Sequence, residues 1–334
     1  MRIPRTQVAW DSPRDDPNNH TGAVTQQPAP AVSLLSDYGL IDEFAGVCRG
    51  VIMRACPTAA VLDITHNITR HDVRAGAYAL ARAVQYMPQG VVMADVSQPS
   101  AVRRLVAVQT DGFVLIGPDN GLLSPAVAML GGASDAVELS EGRFHLPTMG
   151  GTFLGRDVLA PCAGAVAAGT PIFELGPAIS PASLLPSMMP LPDVSSGRIQ
   201  AEVLWVDSFG NAQLNISTEE LQLAGFSLDE LMSVSTGKIQ RVAKPCAGYH
   251  EGLAHELILL TDAHGLISIA VQGGSAGDVL GISSGSAVVI VDVEDGTTLA
   301  ATDAVSETTM NQVAEDASAT SDVPVHITPK EHKK

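Results

Sequence analysis

The hydrophobic period of this chain changes once, and the change falls at a proline-rich stretch. Before it, strand-length apolar runs alternate with runs of helical spacing. The pattern predicts a strand over Val32–Ser36, then a helix in which Phe44, Val47, Val51, Ile52 and Ala55 recur at three- and four-residue intervals. Pro57 stops that helix. A strand over Ala60–Ile64, a helix over Val73–Tyr86 capped by Asp72, and a strand over Val91–Val96 follow. Leu105–Val108 and Phe113–Ile116 read as paired strands, Ala126–Leu130 as part of a helix, and Arg156–Ala168 as a helix of small residues. Such alternation predicts a mostly parallel sheet covered on both faces. Residues 176–196 then carry Pro every few positions and read as an extended linker. From Gly197 onward short alternating strands predominate: Ile199–Val206, Ala212–Ile216, Glu256–Thr261, Leu266–Val271 and Ala287–Val293. The expected fold is an α/β N-terminal domain with a mostly parallel sheet, followed by a smaller all-β barrel or sandwich domain. Its expected division is a disordered arm over 1–30, the α/β domain over 31–180, the linker over 181–196, the β domain over 197–295 and a disordered tail over 296–334.

Composition removes several function classes. The formal net charge is −17, and no Lys/Arg cluster offers the cationic surface that nucleic acid requires. The first twenty residues lack an apolar core, so they do not form a secretory leader. Apolar runs are strand length, far short of a membrane span. Cys48, Cys56, Cys162 and Cys246 form no CxxC pair and no zinc spacing, and they read as reduced thiols in a cytoplasmic protein. Aromatic residues make up only 4%, so the core must be aliphatic.

Five strings end apolar strands in tight polar turns: SLLSDYG (33–39), LDITHNI (62–68), GPDNGLL (117–123), TFLGRD (152–157) and VDSFGNAQLNI (206–216). Strand ends of this kind present side chains and free amides to small ligands. Together and in this order the strings resemble the S-adenosyl-L-methionine (SAM) hydroxide adenosyltransferase family, with its halogenating relatives, the fluorinases and chlorinases. The resemblance spans about residues 31 to 295. It implies a homotrimer whose ligand site lies between the N-terminal domain of one subunit and the C-terminal domain of the next. It also implies SAM as substrate, with no separate cofactor and no metal. In that chemistry methionine is displaced from the ribose 5′ carbon by water or halide. The sulfonium leaves as a neutral thioether, so no general acid is needed, and a dry, in-line nucleophile matters most.

The resemblance also assigns residues. Asp37 would hold the ribose 2′ and 3′ hydroxyls, where its other reading is a strand-end turn residue. Asp42 would contact the methionine part, or else cap the following helix. Asp207 would meet the methionine ammonium, Phe209 pack on the ligand, and Asn211 read an adenine edge. Tyr249 would stack on adenine, and Ser268 and Val271 would offer backbone groups to the purine; ordinary strand packing explains these three equally well. Asp63 and His66 read as structural, and Asn120 as a left-handed turn residue.

Typical hydrolases of the family carry a strand-end Asp loop with an Arg, and a His in the fourth string; these three groups position and polarise the water. Counting from Gly90, Gln98 falls at the Asp position in a loop two residues shorter, Arg103 or Arg104 keeps the Arg, and Leu154 replaces the His. Asp95 takes the Asp place only if the strand ends three residues earlier. The expected activity is SAM hydrolysis with Gln98, Arg103 and Leu154 around the nucleophile, and a weak pH dependence, because Gln98 does not titrate. The alternatives are a halide adenosyltransferase, which an apolar Leu154 would suit, or a SAM- or adenosine-binding protein with impaired catalysis.

Overall fold

Parallel strands occupy the middle of the N-terminal half. A computed structural model describes residues 29–97, 104–147, 150–187, 190–237 and 239–293. Strands β1 (Ala31–Ser36), β2 (Ala60–Thr65), β3 (Gly90–Asp95), β4 (Leu105–Gln109), β5 (Phe113–Pro118), β6 (Asp135–Glu138) and β7 (Ala178–Ile179) form one sheet in the order β2-β1-β3-β5-β4-β6-β7. The first four in that order run parallel, and the remaining pairs are antiparallel. All of β1 and β5 is buried; β5 reads as an apolar run, while β1 carries two buried serines, Ser33 and Ser36.

Helices α1 (Phe44–Ala55), α2 (Val73–Val84), α3 (Ser124–Met129) and α4 (Ala160–Ala167) cover the sheet. Alternation along the strands sorts the side chains. Val32, Leu34, Val91 and Met93 pack with Ile52 of α1 and Cys162 of α4. Leu35, Val92 and Ala94 pack on the other face with Leu80 of α2 and Ala126 of α3. Each Leu or Ile buried in this way contributes about 1.5–3 kcal/mol. Asp72 caps α2 as expected, accepting from the Ala75 N–H at 2.9 Å. Two readings need correction. The residues before α4 wind as a π-helical turn, Gly155–Leu159, rather than as α-helix from Arg156. Asn120 is not left-handed; Gly121 takes the positive φ of 93°, while the Asn120 amide braces the turn by donating to the Val96 carbonyl at 2.9 Å.

The C-terminal half holds β8 (Asp193–Ser195), β9 (Arg198–Val206), β10 (Ala212–Ser217), β11 (Met232–Thr236), β12 (Ile239–Pro245), β13 (Leu257–Thr261), β14 (Leu266–Val271) and β15 (Ala287–Asp292). Seven of them close into a barrel in the order β9-β10-β14-β13-β12-β11-β15, and β8 pairs on the outside of β9. Closure depends on β10, which breaks register at Gln213 against both of its neighbours and so bends from one to the other. Ile199, Val203, Leu214, Leu259 and Ile269 fill the interior. No helix among the described residues is long and apolar enough to cross a membrane. The expected arm and tail fall outside the described residues, apart from Ala29 and Pro30.

Helix α2 joins the two halves. Its Arg82 guanidinium lies 4.2 Å over the Trp205 ring of β9 and donates to Gln213 Oε1 at 3.1 Å. Arg74 pairs with Glu202, and Tyr78 packs on Leu204 and Leu266. Burial pulls Arg82 down to about 10, with Asp262 opposing the fall. Arg82→Ala is expected to cost about 1–2 kcal/mol through the lost cation–π contact and the stranded Gln213 oxygen. An unchanged urea midpoint would show that this contact contributes nothing.

Candidate active site

The strand order places β2 and β3 on opposite sides of β1, so the sheet's topological switch lies between β1 and β3. A crevice opens at the carboxyl ends of strands at such a point, and ligands of α/β proteins bind there. Asp37 follows the end of β1, and Asp95 is the last residue of β3.

Asp37 Oδ2 accepts from the main-chain N–H of His71 at 2.8 Å. His71 holds a left-handed backbone, φ 65°, a conformation that costs energy in a non-glycine residue. Its ring Nδ1 lies 2.7 Å from the Ser97 carbonyl, which can only accept, so that nitrogen carries a proton. One residue thus ties the Asp37 carboxylate to the segment just beyond Asp95. Nothing in the string RHDV announces this role. Beneath the turn, buried His66 bonds Ser36 Oγ at 2.7 Å and Asp63 Oδ1 at 3.1 Å, and its carbonyl accepts from the Gly39 N–H. That chain has the structural part expected of Asp63 and His66.

Tyr38 points the other way. Its ring meets Phe44 and Phe153 edge-on at 6.2 and 5.5 Å, and its hydroxyl donates to Asp95 Oδ2. Burial pushes the Asp95 carboxyl up to about 6; the Tyr38 hydrogen bond holds it lower than burial alone would, and Asp37 adds to the rise. Burial and the charge of Asp95 keep the Tyr38 hydroxyl protonated. The same two causes push the Cys48 thiol up to about 12. Gly155 lines this corner, with Leu154 before it in the chain. A Cβ on Gly155 would overlap the Tyr38 hydroxyl and sit 2.9 Å from Asp95 Oδ2. Arg156 turns away to a two-pronged pair with buried Asp157, at 2.6 and 3.1 Å.

A second polar cluster lies at the barrel. Asp207 Oδ1 accepts from the N–H groups of Phe209 and Asn211, each at 2.9 Å, and Oδ2 from Asn211 Nδ2 at 3.0 Å. Three of the four acceptor positions of the carboxylate are engaged, and one is left for a cation. Gly210 has φ 83°, and a Cβ there would overlap the Ser275 side chain, so the turn accepts only glycine. Phe209, at the tip, is 79% exposed. Burial raises the Tyr249 hydroxyl, and the charges of Asp207 and Asp262 raise it further.

The other expected site residues are placed as follows. Asp42 is exposed in the bend before α1 and does not cap it; Glu43 holds the cap position without a side-chain bond. Ser268 is buried within β14 and paired with Leu260 on one side and Gln213 on the other, so barrel strands flank its backbone on both edges. Val271, also buried, pairs with Leu257. Gln98 and Arg103 lie outside the described residues. Among the described residues no hydrogen bond, ion pair or ring contact joins the Asp37–Asp95 corner to the Asp207–Asn211 cluster. Nor does any group of three His, Cys, Asp or Glu among them form a metal cage.

Comparison with known proteins agrees with this division. Residues 32–176 match the SAM hydroxide adenosyltransferase N-terminal domain, and residues 201–289 match the C-terminal domain of the same name. A relative named (R)-S-adenosyl-L-methionine hydrolase, from Salinispora tropica, is 39% identical over 260 residues, covering 77% of this chain and 95% of that protein. A fluorinase from an Actinoplanes species is 27% identical over 59% of this chain and 74% of its own length. A crystal structure of an uncharacterized conserved protein from Thermotoga maritima superposes with a TM-score of 0.70 at 27% identity, covering 78% of this chain and 99% of that one.

Proposed function

Because this chain belongs to the SAM hydroxide adenosyltransferase family, we propose that it is an enzyme that hydrolyses SAM to adenosine and L-methionine, with Asp95 holding the attacking water. The observation that carries this reading is the pair of carboxylates at the switch point: Asp37, anchored by a backbone N–H, and Asp95, half-buried and raised to about 6. A carboxyl of that strength is charged at neutral pH yet basic enough to accept a proton as the oxygen attacks. A water oxygen bonds to the ribose 5′ carbon, the carbon–sulfur bond breaks, and its electron pair goes to sulfur. The water proton passes to Asp95 and then to solvent. Asp37 holds the ribose diol, so that the 5′ carbon faces the nucleophile. In the barrel cluster Asp207 meets the ammonium, Asn211 reads adenine, and Phe209 and Tyr249 cover the ring. Gln98 and Arg103 belong to the segment after Asp95, and Leu154 is the apolar wall. Asp42, Ser268 and Val271 keep their assigned contacts to methionine and purine as part of the same proposal. Three buried free thiols suit a reducing cytoplasm.

One observation favours a second reading. Leu154 is 44% exposed at this corner, and an apolar side chain there dries the nucleophile's path, which suits chloride. Incubation with SAM, with and without chloride, followed by mass analysis of the adenosyl product, separates the two. Adenosine in both arms supports hydrolysis, and 5′-chloro-5′-deoxyadenosine in the chloride arm supports the alternative.

We further propose a homotrimer with shared sites. The two polar clusters are not bonded to each other, and Ile41 beside one and Phe209 in the other are 99% and 79% exposed. Each cluster then completes its site on a neighbouring subunit. An Asp37→Ala variant and an Asn211→Ala variant, each inactive alone, are expected to regain roughly a quarter of full activity when subunits are mixed at random in a cyclic ring. No recovery after confirmed exchange would place both halves of a site on one subunit.

A further inference from the structure

We propose that Tyr38 is a positioning residue of the reaction: its hydroxyl, seated in the space that Gly155 leaves open, orients the Asp95 carboxylate toward the nucleophile. This rests on the reading of Asp95 given above. Four observations carry it. The hydroxyl donates to Asp95 Oδ2, so one carboxylate oxygen is fixed in direction. The ring is itself held edge-on by Phe44 and Phe153, so the donor cannot swing away. The lack of a side chain at 155 is a steric requirement of the contact, because a Cβ there would overlap the hydroxyl. Leu154, next to it in the chain, offers no polar atom, and among the described residues the Tyr38 hydroxyl is the group that hydrogen-bonds the Asp95 side chain.

Among the described residues, the groups facing Asp95 are Tyr38 and Asp37, just after β1, and the Cys48 thiol of α1. Arg156 and Asp157, on the π-helical turn, act on that thiol in opposite directions. Tyr38 is the one among those facing groups that hydrogen-bonds the carboxylate, and a donor to the charged form lowers the pKa of an acid. Removing the donor therefore moves the ionisation upward.

The test is Tyr38→Phe, which keeps the ring among its aromatic neighbours and deletes one oxygen. The acid limb of the kcat–pH profile is expected to move up by roughly one pH unit. On the plateau kcat is expected to fall about tenfold, as a misaligned catalytic group would cause, with KM for SAM little changed. A merely structural hydroxyl would lower stability and leave the limb where it was. Gly155→Ala supplies the second measurement. It should reduce kcat by more in the wild-type background than in Tyr38→Phe, where the hydroxyl it strikes is gone. Equal losses in both backgrounds, or a Tyr38→Phe limb unmoved with kcat within twofold of wild type, overturn the proposal while leaving Asp95 in place. Full activity in Asp95→Asn overturns the underlying reading and this inference with it.

Discussion

Asp95→Asn is expected to reduce SAM turnover by about 10²–10⁴-fold, the usual contribution of a positioned general base. The same variant should be more stable than wild type at neutral pH. The folded-state pKa of Asp95 is raised to about 6, so the folded protein holds a proton there over a range where the unfolded chain has lost it. The favourable protonated state is fully present below about pH 4 and is lost as pH rises through about 6. At pH 7.5 the buried charge therefore costs up to about 3 kcal/mol, which the neutral amide avoids. Melting curves should show the Asp95→Asn variant ahead at pH 7.5 and level with wild type near pH 4. Wild-type kcat should fall tenfold per pH unit below about 6. A flat profile, as Gln98 alone would give, counts against Asp95; so does an Asp95→Asn variant that keeps its rate.

Asp37→Ala should weaken adenosine binding by about 2–4 kcal/mol, or roughly 30- to 1000-fold, because one carboxylate accepts from two ribose hydroxyls. The loss also strands the His71 N–H that now ends on Asp37 Oδ2. Calorimetric titration with adenosine isolates this effect from chemistry, since adenosine lacks the leaving group. An unaltered affinity would remove Asp37 from the ligand site.

Much of the fold is legible in the residues because burial and sequence pattern coincide in it. β3 through Val91–Ala94 and β5 are buried and read as apolar runs, and Asp72 announces α2 by its capping chemistry. Barrel closure is not legible. β12 is buried only at Ala243, and the closing bend at Gln213 is a backbone event with no residue signature. The helix Thr218–Leu223 starts on a capping box, with Ser217 and Glu220 bonding each other's ends, but it is too short to add a helical period to a strand-rich stretch. The π-helical turn at Gly155 is a backbone event that the string GRDVL does not distinguish from the first turn of an α-helix.

The site divides in the same way. Asp37, Asp207 and Asn211 stand at strand ends, where turn chemistry marks them. Counting from Gly90 carries the strand on to Val96, one residue past its end at Asp95, and Gln98 lies outside the described residues. Tyr38 and His71 escape a reading of the sequence for a different reason. Tyr38 meets a residue 57 positions away, and His71 acts through its backbone and through a carbonyl 26 positions on. Contacts of that range are properties of the folded chain.

The fit between the Tyr38 hydroxyl and Gly155 also constrains how this lineage can change. With the hydroxyl present, every side chain at 155 collides with it, so a substitution there must displace the tyrosine or the backbone. Losing the hydroxyl relieves the closest overlap, while the ring Cζ and Asp95 Oδ2 remain 3.0 and 2.9 Å from a Cβ at 155. The two positions are therefore coupled in both directions: a tyrosine at 38 requires glycine at 155, and a side chain at 155 requires movement of the ring and of Asp95 as well as loss of the hydroxyl.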